Sequence, residues 1–355
     1  MKRRDVFISV LVMAFFLVST IGLGTAGLGT AIAQKKPVVL RLVVPSPPGD
    51  WPLTFMNTEL AKRFNGRAKG QYVIEAHPDP GGAIAKIPEY FDAVRIGSVE
   101  ITCGPWGMFS FLDPRLGIIE TPFLFSTSPA ASAACKPLLP LYDQILQEKF
   151  NAKGLSLCNV GGVNLYSSKP VKTLEDWKGL LVGCLSPVAS GLAKELGASP
   201  VTVMWVDMYE SLQKKVIAAV LIGTHGGVAT NTPDVCKNVV LFYGLSGWNG
   251  FSINLDVWKK MPPNIQKILQ EEAIASAEWM NKTVDGELGA KDMKTFKDKG
   301  SAVYFVPKAE RDKWEKVLAP YKEKQITSLG EFGQKVKKIA DEVNKSHPYS
   351  QRGMY

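Results

Sequence analysis

The sequence predicts an α/β protein, and two observations carry that expectation. Short apolar strand-like runs alternate with segments of helical spacing along most of the chain. The 355 residues, 46% hydrophobic and 21% charged with 32 Gly and 23 Pro, suit one large two-lobed unit or two ordinary domains. The same composition excludes disorder, collagen-like sequence and coiled coil. Lys+Arg 42 against Asp+Glu 33 gives a net charge of +9, but no dense basic tract occurs, so nucleic acid is not an expected partner.

The first element is an export signal. Lys2, Arg3 and Arg4 form a positive start, and after Asp5 no charge occurs until Lys35. Val6 to Val18 is an apolar core, and Ala31-Ile32-Ala33 supplies a small-x-small cleavage site before Gln34. Gly22, Gly24, Gly27 and Gly29 interrupt the apolar stretch, which favours a cleaved signal peptide over 1–33 rather than a membrane anchor. The first cysteine is Cys103, so no lipid anchor is expected at the new terminus. Removing three cations and one anion leaves 39 Lys+Arg against 32 Asp+Glu, or +7. No later run is long enough to span a bilayer, so the expected location is the periplasm.

In the mature chain Val38 to Val44 reads as a buried strand ending in a Pro45–Gly49 turn. Helical character follows around Leu60 to Phe64, then a strand over Tyr72 to Glu75. After Gly81-Gly82 the spacing of Ile84, Ile87, Phe91 and Val94 predicts a helix ending at Gly97. Strands are expected over Glu100 to Cys103 and Leu155 to Val160. Thr173 to Asp176 forms a capping box for a short helix closed by Gly179. A strand over Leu180 to Leu185, a helix around Ser190 to Leu196 and a strand over Val201 to Met204 come next. Asp207 and Glu210 cap a helix carrying Met208, Leu212 and Val216. Pro263 to about Lys299 reads as one helix of ~50 Å, weakened locally by Gly286 and Gly289. Two amphipathic helices close the chain, marked by Trp314, Val317, Leu318 and Tyr321, then by Phe332, Val336, Ile339 and Val343.

Chemistry is sparse. No G-x-S-x-G, HExxH, Walker or GxGxxG pattern occurs between a strand and a helix, and three His exclude a His-rich metal site. His77 reads as a turn or surface residue and His347 as incidental, whereas His225 sits in an exposed glycine-rich loop. Glu271-Glu272 reads as a solvated helix face. Cys103, Cys135, Cys158, Cys184 and Cys236 show no CxxC or zinc spacing and read as buried small hydrophobes with at most one or two bridges. No catalytic residue, metal or cofactor is expected. A hydrolase would need a Ser or Cys paired with His225.

At Thr121-Pro122-Phe123-Leu124-Phe125 the chain resembles the periplasmic solute-binding proteins of TRAP (tripartite ATP-independent) transporters. The resemblance continues through Lys169-Pro-Val-Lys-Thr-Leu-Glu-Asp-Trp-Lys-Gly179, Leu196-Gly-Ala-Ser-Pro200, Tyr209-Glu-Ser-Leu-Gln213, Ile253-Asn254 and Met261-Pro262-Pro263. It implies a two-lobed fold with a long helix bridging both lobes. Lobe I would take 34–160 with about 248–287, lobe II 161–247 with about 288–345, and 346–355 would be a tail. It also implies a small organic solute held between closing lobes, TRAP membrane subunits as partners, and a monomer.

The chain departs from the pattern where such proteins grip an acid. Gly183 stands at the position of the strand arginine, Val163 or Asn164 at that of a second arginine, and Ile222 at that of a ligand-touching asparagine. After the paired glycines, Ala83 and Ile84 stand where a glutamate often follows. Trp205 matches a ligand-packing aromatic. Neither Gly nor Val replaces a bidentate guanidinium. The expectation is an uncharged, hydrophobic or aromatic solute, with Trp205 stacking on it, Trp106 and Trp51 as further walls, and His225 and Asn164 orienting it. The alternatives are an organic acid held by other groups and a ligand-binding partner of a sensor kinase.

Overall fold

The computed structural model describes residues 36–44, 46, 50–79, 83–84, 86 and 89–349, with position 51 described in its backbone only. The segment expected to be a signal peptide, most of the Pro45–Gly49 turn, Gly81-Gly82 and the last residues of the tail lie outside the described residues.

The strands are β1 Val38–Val44, β2 Tyr72–Pro78, β3 Ile101–Gly104, β4 Ala152–Ser167, β5 Leu181–Cys184, β6 Ser199–Thr202, β7 Ala219–Gly223, β8 Asn238–Asn254 and β9 Ala302–Phe305. Between them run α1 Trp51–Ala68, α2 Tyr90–Arg95, α3 Ser128–Phe150, α4 Pro187–Glu195, α5 Trp205–Gln213, α6 Thr224–Ala229 and α7 Thr232–Val235. The later helices are α8 Leu255–Lys260, α9 Pro263–Asp285, α10 Glu287–Asp298, α11 Lys308–Thr327 and α12 Gly330–Ser346. Among the described residues the strands form one mixed sheet in the order β2-β1-β3-β8-β4-β7-β5-β6, with β9 parallel to β8.

Each end of the sheet is parallel and fed by helices, which is why β1 is apolar almost throughout: Leu40, Leu42, Val43 and Val44 are all buried. Its Arg41 turns outward and pairs with Glu100 at 2.8 Å. The two antiparallel strands in the middle, β4 and β8, have 16 and 17 residues and run through both halves. Their ladder slips at Asn159/Gly162 and Val163/Leu165, the bulges that bend a strand. Gly161 takes φ +98°, and a Cβ on Gly162 would stand 2.4 Å from the Tyr243 ring, so this bend requires both glycines.

The core divides on either side of that bend. One half packs α1, β1, β3 and α9 through Leu42, Phe64, Ile101 and Leu269, and packs α3 through Trp106, Phe109 and Tyr142. The other half sandwiches β5 and β7 between Trp177, Leu192 and Trp314 on one face and Met208, Ile217 and Phe296 on the other. Trp177 meets Trp314 edge-on at 5.5 Å. The molecule is two-lobed. Of the 288–345 segment, Met293 and Phe296 join the second half, but Val336 and Ala340 of α12 pack with Leu138 and Tyr142 of α3.

Several elements differ from their sequence expectation. The 263–299 stretch is not one rod: α9 stops at Gly286 (φ −109°, ψ −124°) and α10 restarts there. Met280 at the end of α9 belongs to the first half and Met293 to the second, so the pair of helices still joins the two. α5 opens at Trp205 behind Met204 rather than at Asp207, and Val216 lies beyond its end. The Thr173 box caps a single 3₁₀ turn, Leu174–Trp177, with Asp176 Oδ2 accepting the Thr173 N–H at 2.8 Å. All five cysteines are free and buried.

Candidate functional site

A cavity of about 1030 Å³, its open mouth included, lies at the bend of β4 and β8. Asp50, Pro52 and Leu53 line it from the start of α1, and Pro105, Met108 and Glu120 from the segments after β3. Val160 and Val163 come from β4, Leu185 and Ser186 from the β5–α4 connection, Ala189 from α4, and Trp205 from α5. Leu221, Ile222, Gly223, His225 and Gly226 follow from β7 and α6, and the 245–249 stretch of β8 adds Trp248 and Asn249. Met280, Val284 and Leu288 close it across the Gly286 break. Both halves of the molecule therefore contribute walls. Among the described residues neither Lys nor Arg lines it.

The polar groups are placed by helix ends. Asp50 caps α1, accepting the Leu53 N–H at 3.2 Å, and its Oδ1 lies 3.7 Å from His225 Nε2. His225 enters because β7 passes directly into α6 at Gly223. On its other side Nδ1 lies 3.1 Å from Asp292 Oδ2, on the helix that restarts after Gly286. Ser186 caps α4, accepting the Ala189 N–H at 3.2 Å, and donates its own hydroxyl to Glu120 Oε2 at 2.5 Å.

Burial sets the charges. It pushes the Glu120 carboxyl up to about 7, against the opposing pull of the Ser186 hydroxyl. It raises Asp50 as well, with the His225 charge opposing. For His225 burial is the largest influence and acts downward, but the Asp292 hydrogen bond and the charges of Asp50 and Asp292 together outweigh it and leave the imidazole above its ordinary value.

Of the residues singled out from sequence, Trp205, Val163, Ile222 and His225 meet in this cavity. Gly183, Asn164 and Trp106 are not among its lining residues. A side chain at 183 would meet Ile217 Cδ1 at 2.8 Å and Val220 Cγ1 at 3.1 Å, so the space an arginine would need is already filled. Asn164 is 1% exposed, and its Oδ1 accepts the N–H groups of Phe242 and Tyr243 at 3.1 Å, tying the bulges together. Trp106 is 1% exposed and stacks on Tyr142 at 5.6 Å in the core. The Trp51 side chain lies outside the described part. Ile84 is exposed and not among the lining residues, as is Ala83.

Sequence reasoning passed over Glu120, Asp50, Ser186, Trp248 and Asp292. Glu120 directly precedes the Thr121-Pro122-Phe123 motif, and Asp50-Trp51-Pro52 is an N-cap followed by an early proline, a signal for a helix start. Asp292 stands in a lysine-rich helix between Lys291 and Lys294, and nothing local distinguishes it from a solvated residue.

Residues 50–328 match the family described as bacterial extracellular solute-binding protein, family 7 (DctP). The chain belongs to this family. This solute-binding protein is 25% identical over 276 residues to the uncharacterised protein YiiZ of Salmonella typhimurium, covering 72% of the present chain and 77% of that protein. Its fold matches that of a Bordetella pertussis extracytoplasmic solute receptor binding pyroglutamic acid, with TM-score 0.79, 20% identity, and coverage of 86% of this chain and 99% of that one. It also matches a TRAP periplasmic solute-binding protein from Desulfovibrio desulfuricans with bound sn-glycerol-3-phosphate, with TM-score 0.78, 20% identity, and coverage of 90% and 100%. At these identities the likeness to the two structures is one of fold. Among the described residues no helix is long and apolar enough to cross a membrane.

Proposed function

We propose that this family member captures a small, uncharged, largely hydrophobic or aromatic solute in the periplasm and delivers it to TRAP membrane subunits. The exported chain, freed of residues 1–33, acts as a monomer. Lobe I (34–160 with about 248–287) and lobe II (161–247 with about 288–345) close over the solute, and the packing of α12 on α3 speaks for returning that helix to lobe I. Closure is favoured only when the guest touches both lobes, because a ligand shifts the equilibrium by its differential affinity alone.

The observation that carries the solute class is the cavity lining, which among the described residues contains carboxyls and no Lys or Arg. Burying a carboxylate without a compensating partner costs several kcal/mol, and no lysine or arginine among the described lining residues supplies one. Trp205, 6% exposed and lining the cavity, supplies a face for an aromatic or apolar guest. Calorimetric titration of the mature protein with neutral aromatics, monocarboxylates and dicarboxylates tests this. Neutral aromatics should bind, and Trp205→Ala should weaken them; micromolar binding of succinate or malate, unchanged by that substitution, would overturn the reading.

A second reading keeps an organic acid, which the pyroglutamic acid and sn-glycerol-3-phosphate of the similar structures favour. His225 would then be the cation. Its position between Asp50 and Asp292 already balances its charge, which weighs against it.

A further inference from the structure

The cavity holds a carboxyl, Glu120, that no cation among the described residues balances. Glu120 keeps part of its surface accessible while lining the cavity, and among the described residues its hydrogen bonding is limited to Ser186 Oγ on Oε2. Oε1 lies over Gly107, where a Cβ would stand 2.0 Å away, so the backbone there leaves room for the carboxyl. The titratable groups near it are the phenols of Tyr142 on α3 and Tyr321 on α11, both raised by their own burial and further by its charge. Asp50 and His225 line the same cavity, but His225 is engaged by Asp50 and Asp292. Burial pushes Glu120 up to about 7, so the acid form is available at neutral pH. Trp205 lines the same cavity with its ring, whose Nε1 is itself buried.

We propose that the Glu120 carboxyl, as the acid, is the donor that orients the solute, so the solute is a neutral molecule with an apolar body and an acceptor oxygen, of the ketone, ester or amide class. This rests on the uncharged-solute reading above. With Oε2 engaged by Ser186, Oε1 is left for the guest. An ionised Glu120 would instead select an ammonium group, and the two cases respond oppositely to pH.

Four probes sharing one ring separate them: acetophenone, toluene, benzylammonium and benzoate, titrated calorimetrically into the mature chain at pH 5.5 and pH 8.5. Acetophenone should bind about tenfold more tightly than toluene at pH 5.5 and lose that advantage at pH 8.5. Glu120→Gln, which keeps an N–H donor, should hold the preference at both pH values. Equal binding of acetophenone and toluene at both pH values would overturn the Glu120 donor and leave the apolar-cavity reading standing. Benzylammonium binding that strengthens with pH and vanishes in Glu120→Gln would overturn it in favour of a cation. Preferred binding of benzoate, or of none of the four, would overturn the uncharged-solute reading along with it.

Discussion

Glu120 makes the cleft's own stability depend on pH. Its carboxyl is raised in the folded state, so the folded chain holds a proton that the unfolded chain releases above about pH 4.5. The associated stability is fully present below that value and lost as pH rises through about 7. The full loss is on the order of 3 kcal/mol. Thermal melts of wild type and Glu120→Gln between pH 4.5 and 8 should therefore diverge, the wild type losing more stability as pH rises. Parallel profiles would show that the carboxyl titrates as if exposed. Individual residues were unevenly readable from sequence. Val163 and Asn164 sit where the β4 ladder slips, so strand alternation gives no rule there for which of them lines a cavity, and it is Val163. Trp106 follows Pro105 outside any periodic element, so no spacing could tell core from cleft. Trp205 was legible through the family resemblance.

At the level of elements, the bent pair β4 and β8 is the part least visible beforehand. Gly161-Gly162 in one strand, and Gly244, Gly247 and Gly250 in the other, look like turns because glycine disfavours extended structure. Here the glycines are needed by their partners: Gly162 admits the Tyr243 ring, and a Cβ on Gly250 would stand 2.3 Å from Trp106 Cζ2. By contrast, β1 was plain, because an apolar run broken only by Arg41 and followed by a proline- and glycine-rich turn has few other uses. Gly162→Ala should overpack the bend and cost about 1–3 kcal/mol. A lower denaturant midpoint at unchanged m-value would show this; an unshifted midpoint would mean that the Tyr243 ring moves aside freely. The Gly286 break was foreshadowed by the residue itself, but its use was not. It lets α10 turn so that Asp292 reaches His225 while α9 stays on the first half.

For the molecule as a whole, membership of the solute-binding family and the cavity between halves lead to one expectation about shape. Saturation with a bound solute should contract the radius of gyration in small-angle scattering and raise the melting temperature together. At a hundred times Kd the stabilisation is about 2.7 kcal/mol. A rise in melting temperature without contraction would mean that the cleft is already shut when empty. The family was legible because several individually weak motifs fall in one order along the chain; the solute class was not, since the decisive fact, which side chains share one cavity, exists only once distant segments fold together.

The buried cysteines offer a way to watch those halves separately. Burial pushes Cys135, Cys184 and Cys236 up to about 12, and Cys103 and Cys158 higher still. None of these sulfurs should react with an alkylating reagent near neutral pH until its surroundings open. Cys103 and Cys158 sit in the first half's core, and Cys184 and Cys236 in the second's. Pulse labelling followed by peptide mass spectrometry turns the thiols into built-in clocks. Matching rates in the two sets would mean that the protein unravels as a single piece, and unequal rates would tell which side lets go first.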